Sequence, residues 1–455
     1  MMKLEVVILA AGQGTRMHSQ LPKVLHPLAA KPLLAHVLDT ARSLAPQQLH
    51  VVIGHGAENV REALNERDIN WVLQEEQLGT GHAVLQAMSA VDPEALVLIL
   101  YGDVPLLRAA TLRELVNESP ALLTAELPDA TGYGRVIRDE SEQLLAVVEH
   151  KDASEAQRSI CEINTGVLIY PAALLNDYLP RVTNANAQGE YYLPDVLAMA
   201  VGDGHTVAAL RADDASEVMG INDRSQLAAA EAVFRERAAA ALMSEGVTLI
   251  DPRRIDVRGV LQCGADVIID VNCIFEGTVS LGAGVHIGAN CVLRDCIIAA
   301  GTQVHAMSHI DDARIGEGCS VGPFARLRPG TMLNHGARIG NFVETKKAHI
   351  GKGSKVNHLS YIGDAQLGDG VNIGAGTITC NYDGVDKHLT QLGDGVFVGS
   401  NSTLVAPLKI GEQSFVAAGS TVTKDINVGE LAVARARQKN IPDWTSPARR
   451  KRAGD

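Results

Sequence analysis

A glycine-rich segment that ends in a lysine follows the first apolar run of this 455-residue chain. It reads LAAGQGTRMHSQLPK, from Leu9 to Lys23. Its glycines let backbone N–H groups approach phosphate oxygens, and Arg16 and Lys23 add positive charge. The segment fits neither the P-loop nor the dinucleotide fingerprint, because Met17 stands where the fingerprint needs a third glycine. Taken alone, it fits a phosphate-binding loop and a tight β-α turn equally well.

An aspartate follows a second apolar run and offers a place for a cation. In LVLILYGDVPLL, Asp103 comes just past a predicted buried strand. A carboxylate there can hold a hard cation such as Mg²⁺ that bridges phosphates. A single Asp after a strand is more often a helix cap. Together, however, Asp103 and the glycine-rich loop form a constellation suited to a phosphate ligand and its cation.

A histidine and two cations are the candidates in the second half of the chain. The imidazole of His358, in VNHLSYIG, suits removal of a proton from an amine near pH 7, although most of the 15 histidines must be surface or structural residues. Arg328 and Lys346 lie 18 residues apart, one coil of the repeat described below, and predict a cationic patch for a sugar phosphate. Two solvated charges explain that pair equally well. Tyr361 and Asn372 predict a polar cluster on the face of His358.

The elements that must position these residues change in character near residue 248. Glycine occurs 15 times up to Gly246 and 28 times from Gly259 onward. The first part alternates short β-branched runs with amphipathic stretches, which predicts β-α-β units around a mostly parallel sheet in a Rossmann-like α/β domain. The stretch from Asp223 to Gly246 predicts one long helix. We therefore expect domains over 1–224 and 249–455, with a linking helix over 225–248.

Aliphatic residues recur at every sixth position in the second domain. One run in step is Ile269, Phe275, Leu281, Ile287 and Leu293, and two more start at Ile315 and Leu392. This period is typical of a parallel β-helix, with three units, roughly 18 residues, per coil. Its narrow interior agrees with an aromatic content of 4%. The period fails around NFVETKKAHIG and between Thr379 and Gln391, and such interruptions usually carry function.

Composition argues against several classes of protein. The net charge of −13 disfavours a nucleic-acid binder, which needs clustered Lys and Arg, and the one basic run is ARRKR near the C-terminus. The stretch MMKLEVVILAAG lacks the features of a secretory signal, and no apolar run reaches the roughly 18 residues of a membrane span. The seven cysteines form no C-x-x-C pair. We expect a soluble cytoplasmic protein with reduced thiols and with neither nucleic-acid nor membrane partners.

The N-terminal loop resembles the signature of nucleotide-sugar pyrophosphorylases, L-x-x-G-x-G-T-R-[LM] followed by P-K. The matching residues are Leu9, Gly12, Gly14, Thr15, Arg16, Met17, Pro22 and Lys23. The resemblance implies that a sugar 1-phosphate attacks the α-phosphorus of a nucleoside triphosphate and that pyrophosphate leaves. The attacking phosphate is already anionic near pH 7, so catalysis needs positioning and the charges of Arg16, Lys23 and Mg²⁺ instead of a general base.

Longer motifs along the whole chain resemble the bifunctional bacterial enzymes that make UDP-N-acetylglucosamine. They are EEQLGTGHA, YGDVPL, TGYGR, VEHKD, INTG, GEYYLPD, FARLRPG, GNFVETKKA, NIGAGTITCNYDG, FVGSN and AAGSTVT. The resemblance implies acetyl transfer from acetyl-CoA to glucosamine 1-phosphate, then uridylyl transfer from UTP to N-acetylglucosamine 1-phosphate, which supplies peptidoglycan and lipopolysaccharide precursors. It also implies that the β-helix is left-handed and that the chain forms a homotrimer with active sites between subunits.

The same resemblance implies roles for individual residues. The nucleotide and sugar site would comprise Leu9, Ala10, Ala11, Gly12, Lys23, Gln74, Gly79, Thr80, Tyr101, Gly102, Asp103, Gly134, Glu149, Asn164 and Asn222, with Asp103 and Asn222 as Mg²⁺ ligands. The acetyl acceptor would contact Arg328, Lys346, Tyr361 and Asn372, with His358 as general base. Acetyl-CoA would contact Ala375, Asn381, Tyr382, Ser400, Ala418 and Arg435, with the Ala375 N–H facing the oxyanion.

Two other interpretations stay open on the sequence. The repeats could form an assembly or regulatory module behind a single pyrophosphorylase, as in ADP-glucose pyrophosphorylases, although a purely structural solenoid has no need of His358, Tyr361 or the TCNYDG insertion. The other interpretation is a structural or binding protein with a degenerate N-terminal domain. The intact GQGTR, Lys23 and Asp103 weigh against it. UTP and dTTP are not distinguished, since uracil and thymine differ by one methyl group.

Overall fold

The computed structural model describes residues 3–453, and its internal contacts divide the chain into two compact units after Arg237. That division falls inside a helix, Arg224–Ser244, which occupies most of the segment expected to link the domains. The terminal residues of the expected domains, 1, 2, 454 and 455, lie outside the described part. Within residues 3–453, no helix combines the length and apolar character that crossing a membrane requires.

The first unit is an α/β domain built on one large sheet. Its strands are β1 Leu4–Ala10, β2 Pro27–Leu28, β3 Lys31–Pro32, β4 Gln48–Ile53, β5 Ile69–Leu73, β6 Leu96–Tyr101, β7 Ala121–Glu126, β8 Arg135–Arg138, β9 Leu144–Val148, β10 Glu162–Pro171 and β11 Ala208–Arg211. Its helices are α1 Leu33–Arg42, α2 Ala57–Leu64, α3 Thr80–Met88, α4 Ala109–Asn117, α5 Glu155–Arg158, α6 Ala172–Tyr178 and α7 Asp195–Gly202, and α8 is Arg224–Ser244. Short 3₁₀ helices are Thr15–Met17, Lys23–Leu25, Leu179–Arg181 and Ala215–Val218.

The sheet has the order β11-β7-β10-β6-β1-β4-β5, with β8 and β9 attached to β10. Strand β1 is parallel to both β4 and β6, as the β-α-β alternation predicts. Strand β10, which contains the VLIY run, is antiparallel to β6 and β7. It enters the sheet after the β8–β9 hairpin and the four-residue α5 instead of after a long crossover helix, so the alternation did not predict its direction.

Apolar side chains cover both faces of this sheet. Val6, Ile8 and Leu98 belong to one buried cluster, whereas Val7 and Val97 belong to the other. Successive residues of a strand point to opposite faces, so a strand buried on both faces must be apolar throughout. This requirement explains the continuous runs VVIL and LVLIL. The polar residues that follow these strands therefore collect at the carboxyl edge of the sheet.

The second unit is a left-handed parallel β-helix. Its strands are β12 Thr248–Leu249, β13 Ile255–Cys263, β14 Ile268–Ile269, β15 Cys273–Leu281, β16 His286–Ile287, β17 Val292–Arg294, β18 Ile297–Ile298, β19 Gln303–Val304, β20 His309–Asp311, β21 Ala313–Ile315, β22 Ser320–Val321, β23 Arg326–Leu327, β24 Thr331–Leu333, β25 Arg338–Asn341, β26 Glu344–Ile350, β27 Lys355–His358, β28 Tyr361–Leu367, β29 Asn372–Ile373, β30 Ile378–Cys380, β31 Thr390–Leu392, β32 Phe397–Val398, β33 Thr403–Val405, β34 Leu408–Ile410, β35 Phe415–Val416, β36 Thr421–Val422 and β37 Leu431–Ala432. A 3₁₀ helix, Pro252–Arg254, precedes β13, and α9, Pro447–Ala453, contains the basic run of the tail.

The six-residue period marks the core of this unit, as predicted. Every member of the runs that include Ile269, Ile315 and Leu392 belongs to one continuous buried cluster. The cysteines are free, and burial raises the pKa of the Cys273 thiol to about 11 and that of Cys291 to about 12. These thiols fill the interior as small apolar groups.

The spacing between stacked coils varies along the β-helix. Aligned residues are 18 apart for Arg326 and Glu344, 17 apart for Lys355 and Asn372, and 25 apart for Ala365 and Thr390. The last value reflects an insertion of eight residues relative to a 17-residue coil. The insertion falls in the segment 379–391, where the sequence period fails.

Core packing predicts unequal effects for two neighbours in strand β24. Leu333 is 3% exposed and Met332, next to it, is 45% exposed. We expect Leu333→Ala to lower the free energy of unfolding of the β-helix by about 2–5 kcal/mol, because it leaves a cavity in the narrow core. Met332→Ala, the matched control, should cost less than about 1 kcal/mol. Urea unfolding followed by circular dichroism measures both, and equal losses would contradict inward packing of the hexad position.

Candidate active sites

A cavity of about 450 Å³ opens at the carboxyl edge of the sheet in the first unit. Many of its lining residues are those that the sequence predicts, namely Leu9, Ala10, Ala11, Gly12, Arg16, Lys23, Gln74, Gly79, Thr80, Tyr101 and Asp103. Strands β1 and β6 are aligned so that Leu9 is paired with Tyr101, and the Gly102 N–H donates to the Leu9 carbonyl at 2.9 Å. The glycine-rich loop and Asp103 therefore lie side by side.

The backbone of the loop aims Lys23 into this cavity. Gly14 has φ +64°, and a Cβ there would come within 2.7 Å of the Lys23 Cβ. A side chain at position 14 would thus be strained and would displace the lysine. The Lys23 ammonium forms an ion pair with Asp103 and donates to Asn222 Oδ1 at 3.1 Å. Both members of the ion pair are largely buried, with side chains 13% and 16% exposed.

Asn222 reaches Asp103 although 119 residues separate them in the chain. The Ile221 N–H donates to the Asp103 carbonyl at 2.9 Å, which ties the two segments together. The next residue, Asp223, caps helix α8 by accepting from the Gln226 N–H at 2.8 Å. The cap is therefore Asp223, and the side chain of Asn222 is left to face Lys23.

The side-chain oxygens of Asp103 and Asn222 are suitable ligands for Mg²⁺. Both are hard oxygen donors, and both contact the same ammonium, so they converge on a point that suits a cation. Over residues 3–453, no cluster of three or more His, Cys, Asp or Glu side chains could hold a metal. Mg²⁺ does not require one, because it commonly takes one or two protein oxygens together with substrate phosphates.

The three predicted sugar ligands lie together beside the cavity. The Asn164 N–H donates to the Gly134 carbonyl at 2.9 Å, and a Cβ at position 134 would lie 2.9 Å from Glu149 Oε1. Burial, followed by repulsion from Asp152 and Asp195, raises the pKa of Glu149 above its usual range, and a hydrogen bond with Asn164 opposes that shift. The carboxylate is thus held against the backbone, where an acceptor for sugar hydroxyls is useful.

Tyr101 packs at the boundary of the nucleotide and sugar sides. A Cβ at Gly166 would lie 2.5 Å from the Tyr101 ring, so the glycine allows the ring to lie flat on the backbone. Burial, with smaller contributions from Glu149 and Asp103, raises the pKa of the Tyr101 phenol well above its usual value. The hydroxyl stays protonated and forms a hydrogen bond with the Thr80 side chain.

The cavity also contains residues that sequence analysis did not assign, chiefly Gln77 and Glu190. Glu190 is brought there because the Tyr191 N–H donates to the Leu78 carbonyl and the Gly81 N–H donates to the Tyr191 carbonyl, both at 2.8 Å. The motifs EEQLGTGHA and GEYYLPD, which contain these residues, were recognised by resemblance without a role for either side chain.

In the β-helix, charged side chains stack in a column across the coils. Their signs alternate at first, and then two positive charges follow each other. Register places Arg258 on Glu276, Glu276 on Arg294 and Arg294 on Asp311, so opposite charges alternate. Strand β20 pairs with β23, and β23 pairs with β26. One residue beyond these pairs, the same register puts Arg328 above Asp311 and Lys346 above Arg328. Two like charges are now adjacent, which disfavours the pair unless an anion is bound.

A third cation joins this patch from the inserted loop. The Lys387 ammonium contacts Lys346 and, with burial and Arg328, lowers the pKa of Lys346, while Asp364 opposes the shift. Arg328 also pairs with Glu344 at 2.8 Å. Sequence analysis predicted Arg328 and Lys346 and missed Lys387, whose position depends on how the insertion folds. The cluster suits a phosphate.

His358 lies at the end of β27 in a second column. Asn341 is its partner one coil below, with Asn341 Oδ1 3.1 Å from His358 Nδ1. If the amide oxygen accepts, Nδ1 carries the ring hydrogen, and Nε2 keeps the lone pair that a general base needs. Sequence analysis missed Asn341 because an 18-residue coil puts Gly340 there, whereas the true offset is 17.

Three predicted acetyl-CoA contacts continue the His358 column. Asn372 stacks on Lys355, Phe397 on Asn372 and Phe415 on Phe397. Three residues further along each coil, the same registers place Ala375, Ser400 and Ala418 in turn above His358. At the end of the column, Arg435 Nη1 donates to the Ala418 carbonyl at 2.7 Å.

Other predicted ligands lie elsewhere around the coil. Tyr361 begins β28 in the other sheet, beyond the turn at Leu359, whose φ is +48°. The expectation that Tyr361 and Asn372 share one face with His358 is therefore wrong for Tyr361. Asn372 shares the sheet but stacks on Lys355.

The inserted loop holds the two remaining acetyl-CoA candidates. Asn381 donates to the Asp364 carboxylate, and the Tyr382 hydroxyl donates to the Gly384 carbonyl at 2.6 Å. Asp364 has φ +45° and lies at the turn that follows the first residues of β28. Asn381 and Tyr382 thus lie past a corner of the coil and outside the His358 column.

Comparison with known proteins agrees with this two-part architecture. Residues 6–186 match the MobA-like NTP transferase domain, residues 257–343 the GMPPB C-terminal domain, and residues 390–424 the hexapeptide repeat of succinyl-transferase. A nucleotidyl transferase from Methanothermobacter gives a TM-score of 0.38 at 22% identity over 51% of this chain and 97% of that one, too low to support an argument.

Curated relatives match nearly the whole chain. The bifunctional protein GlmU of Cellvibrio japonicus is 56% identical over 98% of this chain and 100% of its own length. That of Marinobacter nauticus is 56% identical over 98% and 99%, and that of Pseudomonas putida strain GB-1 is 55% identical over 99% and 100%. The chain therefore belongs to the GlmU family of bifunctional proteins.

Proposed function

We propose that this chain is a two-site enzyme of UDP-N-acetylglucosamine synthesis. The β-helix transfers the acetyl group of acetyl-CoA to glucosamine 1-phosphate, and the α/β unit then transfers the uridylyl group of UTP to N-acetylglucosamine 1-phosphate and releases pyrophosphate. The observation that supports a second site is the His358 column, in which Asn341 orients an imidazole, together with the separate patch of cations on the same β-helix.

In the α/β unit, the residues bind and orient, because the phosphate nucleophile needs no base. The backbone from Leu9 to Gly12 holds the nucleotide, Gln74, Gly79 and Thr80 contact the base, and Gly134, Glu149 and Asn164 hold the acetylated sugar. Arg16 and Lys23 neutralise the charge that develops on the triphosphate. Asp103 and Asn222 would hold Mg²⁺, which would supply positive charge to neutralise the phosphates of the nucleotide.

In the β-helix, His358 Nε2 removes a proton from the amino group of glucosamine 1-phosphate. Arg328, Lys346 and Lys387 hold the phosphate, and Tyr361 and Asn372 hold the sugar. The freed amine attacks the thioester carbonyl of acetyl-CoA, and the Ala375 N–H stabilises the oxyanion. The C–S bond breaks as the carbonyl re-forms, and the departing CoA thiolate takes up the extra proton of the new amide nitrogen.

The proposed assembly is a cytoplasmic homotrimer. Within one copy, His358 with Ala375, Ser400 and Ala418 lie on one side of the Leu359 turn, whereas Tyr361 and the loop of Asn381 lie beyond it. The two groups of residues therefore face different directions within one copy. A second copy whose other side faces this column supplies the missing contacts, which supports active sites between subunits.

The single-function alternative, a pyrophosphorylase with a structural β-helix, is weaker. A scaffold gains nothing from stacking Lys346 on Arg328 and adding Lys387, because like charges destabilise adjacent coils. Earlier coils of the same column, where Arg258, Glu276 and Arg294 alternate in sign, have the pattern that stability alone favours.

Separate inactivation of the two sites tests the proposed function. His358→Ala should abolish release of CoA from acetyl-CoA and glucosamine 1-phosphate while pyrophosphate release from UTP and N-acetylglucosamine 1-phosphate continues. Asp103→Asn, the reciprocal variant, should lower pyrophosphate release at least about 100-fold and spare CoA release. Free thiol and pyrophosphate are assayed separately. A wild-type protein that releases no CoA would leave only the single-function alternative.

The Asn341 contact predicts a defect confined to turnover. Asn341→Ala removes the acceptor for His358 Nδ1, so the ring loses its fixed tautomer and orientation. We expect kcat for acetyl transfer to fall about tenfold, with KM for glucosamine 1-phosphate unchanged. Asn341→Asp keeps an acceptor oxygen and should retain most of kcat. Equal losses in the two variants would show that the amide has another role.

The burial of Glu149 predicts opposite effects on stability and on substrate binding. Because its folded-state pKa is raised, the stability that the protonated acid contributes is present at low pH and is lost as pH rises through that pKa. At pH 7, Glu149→Gln has no charge to bury and should raise the Tm of the α/β unit, with less gain near pH 4. KM for N-acetylglucosamine 1-phosphate should rise about tenfold. Calorimetry and steady-state kinetics measure the two effects, and a lower Tm at pH 7 would refute the burial cost.

A further inference from the structure

A buried glutamine in the nucleotide cavity has its side-chain amide held in one orientation. Gln74 is 3% exposed and lines the cavity. Its Nε2 donates to the Gly79 carbonyl at 3.3 Å and lies 3.0 Å from His82 Nδ1. A carbonyl oxygen only accepts hydrogen bonds, so the NH₂ group must point towards Gly79. Gly79 and His82 then take both amide hydrogens, and Oε1 is the atom left for a ligand.

His82 supports this orientation from the first turn of α3. A neutral imidazole has one donor and one acceptor nitrogen, so accepting from Gln74 at Nδ1 places the ring hydrogen on Nε2. Gln86 Nε2, one helical turn further along α3, lies 3.1 Å from that ring nitrogen. Two N–H groups cannot bond to each other, so the Gln86 amide must be turned over from this orientation for its Oε1 to accept the ring hydrogen and keep this tautomer. Gln86, His82 and Gln74 thus form a chain that ends in the cavity.

The orientation of Gln74 decides which pyrimidine edge it complements. Uracil and thymine carry a hydrogen on N3, whereas N3 of cytosine is an acceptor. A fixed Oε1 accepts from N3–H of the first two and repels N3 of the third. With the amide turned over, NH₂ would face the cavity and the preference would reverse.

We propose that His82 is a positioning residue for base specificity, which holds the amide of Gln74 so that the site selects uridine and thymidine nucleotides against cytidine nucleotides. The inference rests on the proposed uridylyl transfer and adds to it a residue that does not touch the substrate. Its effect is a difference between bases and not a general loss of activity.

A matched pair of substitutions tests it in the full-length protein. His82→Leu removes the acceptor while keeping an apolar side chain of moderate size, and His82→Asn puts Oδ1 where Nδ1 stood. We measure kcat/KM for UTP, dTTP and CTP with N-acetylglucosamine 1-phosphate. His82→Leu should lower the UTP-to-CTP ratio at least about tenfold and leave the UTP-to-dTTP ratio unchanged, since both bases carry N3–H. His82→Asn should keep the wild-type UTP-to-CTP ratio within about threefold.

The outcomes separate the inference from the proposed function. If His82→Leu loses activity equally with UTP and CTP, or if His82→Asn loses discrimination as fully as His82→Leu, the positioning role is overturned. If His82→Leu does not fold, His82→Asn and Gln86→Leu carry the test, with a retained ratio expected for the first and a smaller ratio for the second. A wild-type protein that transfers no uridylyl group refutes the proposed function, and calorimetric affinities for UTP and CTP then decide the base preference independently.

Discussion

Parallel strand pairing decides which residues meet in both units of this chain. Aligned residues on neighbouring strands are about 4.8 Å apart, so register, not sequence distance, chooses a residue's neighbours. In the α/β unit, β1 and β6 set Leu9 beside Tyr101 and thereby bring the glycine-rich loop to Asp103. In the β-helix, stacked coils set Asn341 beside His358. A slip of one residue in either pairing would separate the groups that the proposed chemistry requires.

Both sites hold charges in arrangements that folding alone does not favour. Burial raises the pKa of Glu149, and the Lys387 ammonium lowers that of Lys346. Perturbed groups of this kind cluster at functional sites, because a bound ligand compensates for the cost. Behind the charges, neutral groups fix orientation: Asn341 turns an imidazole, and His82 turns an amide. The side chains proposed to touch substrate are thus held by side chains that do not, which is how a site keeps its geometry before a ligand arrives.

Motifs and periods predicted the architecture and most of the residues that line the cavity. The hexad period is visible because a narrow prism needs an aliphatic side chain at each inward position, and all of these positions are buried. The helix Arg224–Ser244 follows from its helix-forming composition and the capping aspartate. The position of the glycine-rich loop could be predicted because it comes directly after an apolar strand. Gly14 is needed there because its φ is positive. Each of these features depends on neighbours that are close in sequence.

The features that sequence analysis missed or misplaced depend on partners that are distant in sequence. An aliphatic period near six leaves the coil length open, since an extra turn residue does not change which positions face inward, and so Asn341 and the face of Tyr361 were not located. The direction of β10 depends on which elements precede it, and the place of Lys387 depends on the fold of an insertion. By itself the sequence determined the local elements and the residue types available for chemistry. Only the tertiary structure decided which of them meet, because contacts across strands are set by register and by turns.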